Sequence, residues 1–397
     1  FSLRGMAASP SRRIGWWLAA GMAALLGAGS KEVIVTAPLM VLLIDRTLVS
    51  RTFTNAGRRH WPLYLTLSIS WLAVAAILAT SPRGHTTGFG HGISALDYLR
   101  TQAEILPWYL SRIVWPVGLS IRHDWPLVRH WGPALLPGAV VLGLLAATVW
   151  GLWRRRAWAL AGALFFLVLA PTSSFYPIVT EIAAERRMYL PLAALLTLIV
   201  VGADWARRQM GAPLSRPGVA WSLVAIATVN LAGLTHHRLG NYQSQQSMWS
   251  SVVAVYPNDG VARANLAMAL EQAGDIKRAG RQFERAVEVA PENLEVLTFA
   301  ADFWLARGRA DRAATFYLRV AKTLEQQPER IQRERELHRV WNNLGTTLYR
   351  MEQLEEAAFC FRKALSHQPD YELARRNLAA VMRQLEREKD ASTTPAD

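Results

Sequence analysis

Residues 180–191 read T-E-I-A-A-E-R-R-M-Y-L-P and place two carboxylates (Glu181, Glu185), two guanidiniums (Arg186, Arg187) and a phenol (Tyr189) between two strongly apolar runs. Charge next to hydrocarbon is costly unless it is paired or faces a polar cavity, so such a cluster at a membrane edge is a candidate functional site. The chemistry it offers is anion recognition. The forked donors of arginine match a phosphate group, and a nearby carboxylate can orient those cations or take a proton from a hydroxyl. The same residues also read as a solvated loop whose acids and arginines pair with one another. Two further groups stand beside apolar runs in the same way: Lys31-Glu32, and His123-Asp124 just before Trp125.

The elements that must position these residues are apolar runs near 14–30, 33–49, 61–80, 133–153, 157–176, 189–206 and 217–235, which predict a bundle of about seven membrane spans. Arginines cluster at 12–13, at 51 and 58–59, at 154–156, and at 207, 208 and 216, and basic residues near span ends mark the cytoplasmic side. Alternation of seven spans puts all four clusters on that side. Lys31, Glu32, residues 81–132, the 181–187 loop and the C-terminal half then lie outside. The segment 99–119 carries Arg100, Glu104 and Ser111 on one helical face, with Leu99, Ile105, Leu106, Tyr109 and Ile113 opposite. It therefore reads as an interfacial helix and not as a span.

The formal net charge of +14 is concentrated in these inter-span clusters, so it reads as a topology signal and no nucleic-acid partner is expected. Cys360 is the single cysteine, which excludes an intrachain disulfide framework or a cysteine-based metal site. His85 and His91 lie in a glycine-rich loop without a matching acid and read as solvated residues, so no metal-site residues and no cofactor are predicted, and the sequence does not decide whether the chemistry needs a metal.

From residue 260 the sequence repeats with the 34-residue period of a tetratricopeptide array. The unit 338–371 carries Trp341, Leu344, Gly345, Ala357, Phe361, Ala364 and Pro369. The units 260–293 and 294–327 carry Ala279, Phe283 and Pro291, and Trp304, Ala313 and Tyr317, at the corresponding places. Residues 326–336 form a polar insertion between the second and third units. The expected organisation is all-α: a transmembrane domain over 1–238, a docking half-repeat over 239–259, an α-solenoid over 260–390 and a disordered tail over 391–397. Such a solenoid offers a groove for a peptide or protein ligand.

The order of these pieces resembles the C-terminal part of the membrane protein O-mannosyltransferases that join a multi-span core to tetratricopeptide repeats. The resemblance is carried by Ser30-Lys31-Glu32, by Trp115-Pro116 leading to Arg122-His123-Asp124-Trp125, and by Ala184-Glu185-Arg186-Arg187-Met188-Tyr189-Leu190-Pro191. It implies a C-type glycosyltransferase fold that takes a sugar from a polyprenyl-phosphate carrier to a protein or glycan acceptor at the non-cytoplasmic face. For a bacterial relative that face is the periplasmic side of the inner membrane. On the enzyme reading Arg186 and Arg187 suit the phosphate and Lys31 adds a point charge, Glu32 and Glu185 orient these cations or hold a donor sugar hydroxyl, His123 and Asp124 line the acceptor entrance, and Tyr189 is a further substrate-binding residue. The paired acids of that family's first outer loop have no counterpart here, since Glu32, Asp97, Glu104, Asp124, Glu181 and Glu185 all stand alone. The expectation is a truncated or degenerate relative in which Glu32, Glu185 and Asp124 are the remaining candidates for a base. A membrane-anchored repeat scaffold for envelope assembly is the alternative.

Overall fold

The computed structural model describes residues 1–80, 93–174, 176–178, 181–209, 217–326 and 330–393, which form two compact units, Phe1–Leu234 and Thr235–Asp397. The loop with His85 and His91, the residues Thr180 and Arg216, and the end of the tail lie outside the described residues. Both units are built from helices, as the patterning predicts.

The first unit contains α1 (Ser2–Ala7), α2 (Pro10–Ser30), α3 (Ala37–Ile44), α4 (Phe53–Thr80), α5 (Ala95–Val114), α6 (Trp131–Trp153), α7 (Ala159–Leu169), α8 (Tyr189–Gln209) and α9 (Pro217–Leu239). Four helical stretches are long and apolar enough to cross a membrane, Phe53–Thr80, Trp131–Trp153, Glu185–Gln209 and Gly218–Tyr242, which makes the chain a membrane protein. The other three apolar runs take different forms. The first becomes α2, diluted by glycine and tryptophan. The 33–49 run is divided into a 3₁₀ turn (Glu32–Thr36), the short α3 opened by Pro38, and a π turn (Asp45–Val49). The 157–176 run yields only the eleven residues of α7 before the chain becomes irregular. The helix expected over 99–119 runs from Ala95 to Val114 and is not among the stretches apolar enough to span.

Small residues bring these helices together, which is how packing is gained where lipid offers no hydrophobic drive between helices. A Cβ on Gly21 of α2 would stand 3.0 Å from the Thr66 side chain of α4, and one on Gly162 of α7 would fall onto the Thr148 hydroxyl of α6. Pro62 denies α4 a backbone donor and crowds the preceding turn, so His60 leaves helical geometry (φ −125°, ψ 20°). That kink turns the fully buried His60 onto the fully buried Asp45 of the π turn, with His60 Nδ1 2.7 Å from Asp45 Oδ2. Ser50 Oγ donates to the same carboxylate at 2.7 Å, and so does the Tyr64 hydroxyl. Next to it, Arg46 donates to the carbonyls of Leu152 and Trp153 at the end of α6.

The second unit opens with α10 (Gln245–Val255), capped by Ser244, and continues as three helix pairs. These are α11 (Gly260–Gln272) with α12 (Ile276–Val289), α13 (Leu294–Ala306) with α14 (Ala310–Gln326), and α15 (Arg330–Arg350) with α16 (Leu354–His367), followed by α17 (Glu372–Thr393). Ala279, Ala313 and Ala357 are fully buried at equivalent points, and Phe283, Tyr317 and Phe361 fill the gap between the paired helices. First helices of adjacent units pack directly, α11 on α13 and α15 on the capping α17. Among the described residues α13 and α15 barely touch, because the insertion falls between their units.

Each pair turns through a residue with positive φ: Gly274 (81°), Gly308 (73°) and, in the third unit, Glu352 (62°). A side chain in the left-handed region carries a penalty that glycine escapes, on the order of 1–2 kcal/mol. Glu352→Gly is therefore expected to raise the thermal stability of the repeats by about 1 kcal/mol, part of the relief being returned as unfolded-state entropy. Calorimetry on the full chain measures it, and a lowered midpoint would show that the Glu352 side chain supports the turn.

Candidate functional site

The charged 181–188 segment is held in place by α5. Tyr98, Gln102, Ile105 and Tyr109 recur at intervals of three and four residues and so share one face of the helix, all of them buried. The Tyr98 hydroxyl donates to the Thr172 carbonyl at 2.7 Å, and Gln102 Nε2 donates to the Ile182 carbonyl at 3.0 Å. The Tyr109 hydroxyl donates to the Ala184 carbonyl at 3.0 Å and accepts from its N–H at 2.7 Å. Burial pushes both phenols above their ordinary range, so they remain neutral donors. The same helix fixes the neighbouring loop: Thr101 Oγ1 accepts from the Val128 N–H at 3.0 Å, and Arg100 donates to the Arg129 carbonyl at 2.9 Å.

Between these two anchored loops lies Glu185, which opens a 3₁₀ turn (Glu185–Met188) leading into α8, where Pro191 is tolerated in the first turn. Its Oε1 accepts from the Ser120 N–H at 2.6 Å and lies 3.0 Å from His123 Nε2, and the His123 side chain is fully buried. Trp108 stands edge-on to His123 and to Trp125, with ring centroids 4.8 and 5.4 Å away. Among the described residues the Ser120 hydroxyl, Trp125 Nε1 and Arg112 Nε are buried without a hydrogen-bond partner.

Beside Glu185 opens a cavity of about 430 Å³ whose apolar walls include Ile113 and Leu119 on one side and Leu192, Leu196 and Leu231 on the other. Arg112, Glu185, Arg186 and Tyr189 supply its polar groups. Arg186 is largely exposed and pairs with Glu181. Arg112 lies over the Trp108 ring at 5.4 Å and donates to the Val117 carbonyl.

The structure thus gathers Glu185, His123, Arg186 and Tyr189 from the residues singled out in the sequence and adds Arg112, Trp108 and Ser120. Arg187 has a different position. It is buried, and it donates to the carbonyls of Thr172 (3.0 Å), Ile182 (3.1 Å) and Glu181, so its charge is spent on the loop that Tyr98 and Gln102 also hold. Asp124 is exposed beside the buried His123. Lys31 is exposed at the end of α2, where its N–H caps Gly27, and no described contact joins it to Glu185. No group of three or more His, Cys, Asp or Glu that could hold a metal occurs among the described residues.

Helix α5, which anchors the loop of the site, meets the start of α6. Arg100 of α5 stacks 4.7 Å from the Trp131 ring at the start of that helix, whereas the Asp45 cluster is tied to its end through Arg46. Twenty-three residues at 1.5 Å each put roughly 35 Å, a membrane thickness, between the two ends of α6 where these contacts lie. Arg154, Arg155 and Arg156 follow at the Asp45 end.

Residues 338–371 and 270–333 match models of the tetratricopeptide repeat. Protein O-mannosyl-transferase TMTC3 of Mus musculus is 25% identical over 223 residues, covering 54% of this chain and 24% of that protein. The Drosophila melanogaster protein of the same name is 24% identical over 226 residues, covering 56% and 24%. The chain resembles protein O-mannosyl-transferases. It spans about a quarter of the length of those relatives. Solved structures similar to part of the chain include one titled MamA MSR-1 C2 (22% identity, 41% of this chain and 87% of that one, TM-score 0.32). Another is the first tetratricopeptide domain of Spaghetti (RPAP3) bound to an HSP90 peptide (14% identity, 32% and 94%, TM-score 0.28).

Proposed function

We propose that this chain forms part of a membrane glycosyltransferase, the part that holds a polyprenyl-phosphate sugar in the cavity beside Glu185 and presents an acceptor through its repeats. The cavity carries the reading. Apolar walls from Ile113, Leu192, Leu196 and Leu231 suit an isoprenoid chain, and Arg112 and Arg186 at the same cavity suit its phosphate, whose charge grows as the glycosidic bond breaks. Glu185 on the cavity wall and its partner His123 supply a carboxylate–imidazole pair, and Ser120 and Trp125 near them carry donors with no described acceptor. Lys31, Glu32 and Asp124 belong to this reading as polar groups that the span alternation of the sequence puts on the same side of the membrane; the Glu32 side chain lies outside the described residues. The arginine clusters support placing that face, and the repeats, on the non-cytoplasmic side, which in a bacterium is the periplasm.

The test uses the full chain in nanodiscs with a photoreactive polyprenyl phosphate and, as competitor, the matching alcohol without phosphate. Labelled peptides should contain Leu192, Leu196 or Leu231, and the alcohol should compete at least tenfold less well than the phosphate. Labelling spread over the lipid-facing helices with no phosphate preference would remove the carrier site. It would leave the chain as a membrane-anchored scaffold, the reading that the repeats favour on their own.

A further inference from the structure

The seams between adjacent second helices differ in a way the repeat register makes plain. At the first seam Glu284 of α12 pairs with Arg312 of α14 at 2.7 Å, and the Arg312 guanidinium lies 4.4 Å over Trp304, so a salt bridge roofs an aromatic floor. The equivalent positions at the next seam are Leu318 on α14, Glu356 on α16 and Leu348 on α15. Leucine cannot pair with glutamate, and the salt bridge of this seam is displaced along the helices: Lys363 of α16 pairs with Glu325 of α14 at 3.4 Å and lies 5.3 Å over the Trp341 ring, which leaves Glu356 unanswered. A groove of about 620 Å³ opens instead, floored by Trp341, Leu344 and Leu348 and edged by Leu318 and Phe359, which are 40% and 52% exposed.

Two observations say what this groove lacks. Its edge carries Asp311, Glu355 and Glu356. Arg309 answers Asp311 at 3.1 Å, while Glu355 and Glu356 have no ion pair among the described residues. Leu318 and Phe359 beside them are apolar side chains left 40% and 52% exposed. An occupant that supplies an apolar side chain and a cation meets both, answering Glu356 from outside.

We propose that the seam between α14 and α16, on the face formed by the second helices, is a docking site for a peptide segment in which a large apolar residue is flanked by lysine or arginine. The inner groove of first helices is a different surface, and the proposal does not depend on glycosyl transfer. The partner's cation stands opposite Glu356 and its apolar side chain covers Leu318 and Phe359. A charge-assisted contact of this kind weakens with salt.

The test is fluorescence anisotropy on the full chain in nanodiscs of zwitterionic lipid. The probe is a fluorescein-labelled nonapeptide with tryptophan and leucine at its centre and lysines on both sides, compared with the same peptide carrying glutamates. The lysine peptide should bind at least tenfold more tightly than the glutamate peptide. Leu318→Glu combined with Glu356→Arg rebuilds the salt bridge of the first seam, and should weaken binding at least tenfold while leaving the helical circular dichroism unchanged. Glu356→Gln, which keeps the shape, should produce an intermediate loss. Equal binding of the two peptides, no binding of either, or undiminished binding by the rebuilt seam would overturn the proposal.

Discussion

Asp45→Ala is expected to lower the stability of the membrane unit by about 3–5 kcal/mol, the cost of removing one partner from a buried charged group. The carboxylate is the common acceptor for His60, Ser50 and Tyr64, and both Asp45 and His60 are fully buried. Without it three donors are left in a dry interior, each costing the desolvation it no longer recovers. The kink that Pro62 imposes on α4 would also lose the contact that holds His60 inward. Asp45→Asn keeps an oxygen acceptor and should cost clearly less. Thermal melts in detergent, followed by the near-ultraviolet signal of the tryptophans, measure both variants. A midpoint for Asp45→Ala no lower than that of an exposed control such as Glu181→Ala would show that the cluster is not what joins the π turn to α4.

Asp45 also shows where sequence reading stops. It stands alone near the end of an apolar run, and its partners lie 5, 15 and 19 residues away, the last two beyond a kink. Periodicity marks neither the π turn that points it inward nor the kink that brings His60 back. The site beside α5 was partly legible. Glu185, Arg186 and His123 were recognisable as charged or titratable groups stranded at an apolar boundary, and the structure brings all three to the same pair of loops. Arg112 was not, because on α5 it reads as one more basic residue near a helix end, and its place on the cavity depends on how the 115–130 loop folds back. Tyr98, Gln102 and Tyr109 share a helical face that reads as core, and nothing local says that their polar ends will bind the backbone of a loop about 75 residues on. The repeats were the most legible part, since their register is a covalent period that packing must obey. The same register exposed the exceptional residues, Glu352 in a glycine's place and Leu318 in that of a glutamate.

The four cationic and acidic residues around the 181–188 segment should separate into two classes when each is changed. Arg187 donates to three backbone carbonyls, so Arg187→Ala should release the segment, lower the melting point of the membrane unit, and weaken carrier binding only through that loss of order. Arg112→Ala and Arg186→Ala should leave the melting point nearly unchanged. Each removes one charge-assisted contact to the bound phosphate, about 1.5–3 kcal/mol, and the two together should weaken polyprenyl-phosphate binding by roughly a hundredfold or more. Glu181 competes with the phosphate for Arg186, so Glu181→Gln should strengthen binding modestly, in keeping with the small worth of an exposed pair. Competition binding of a fluorescent polyprenyl phosphate in nanodiscs, run beside the melts, reads both quantities on every variant. If Arg112→Ala and Arg186→Ala change neither affinity nor stability while Arg187→Ala abolishes binding at an unchanged melting point, the phosphate sits on Arg187. The loop would then have to open to admit it.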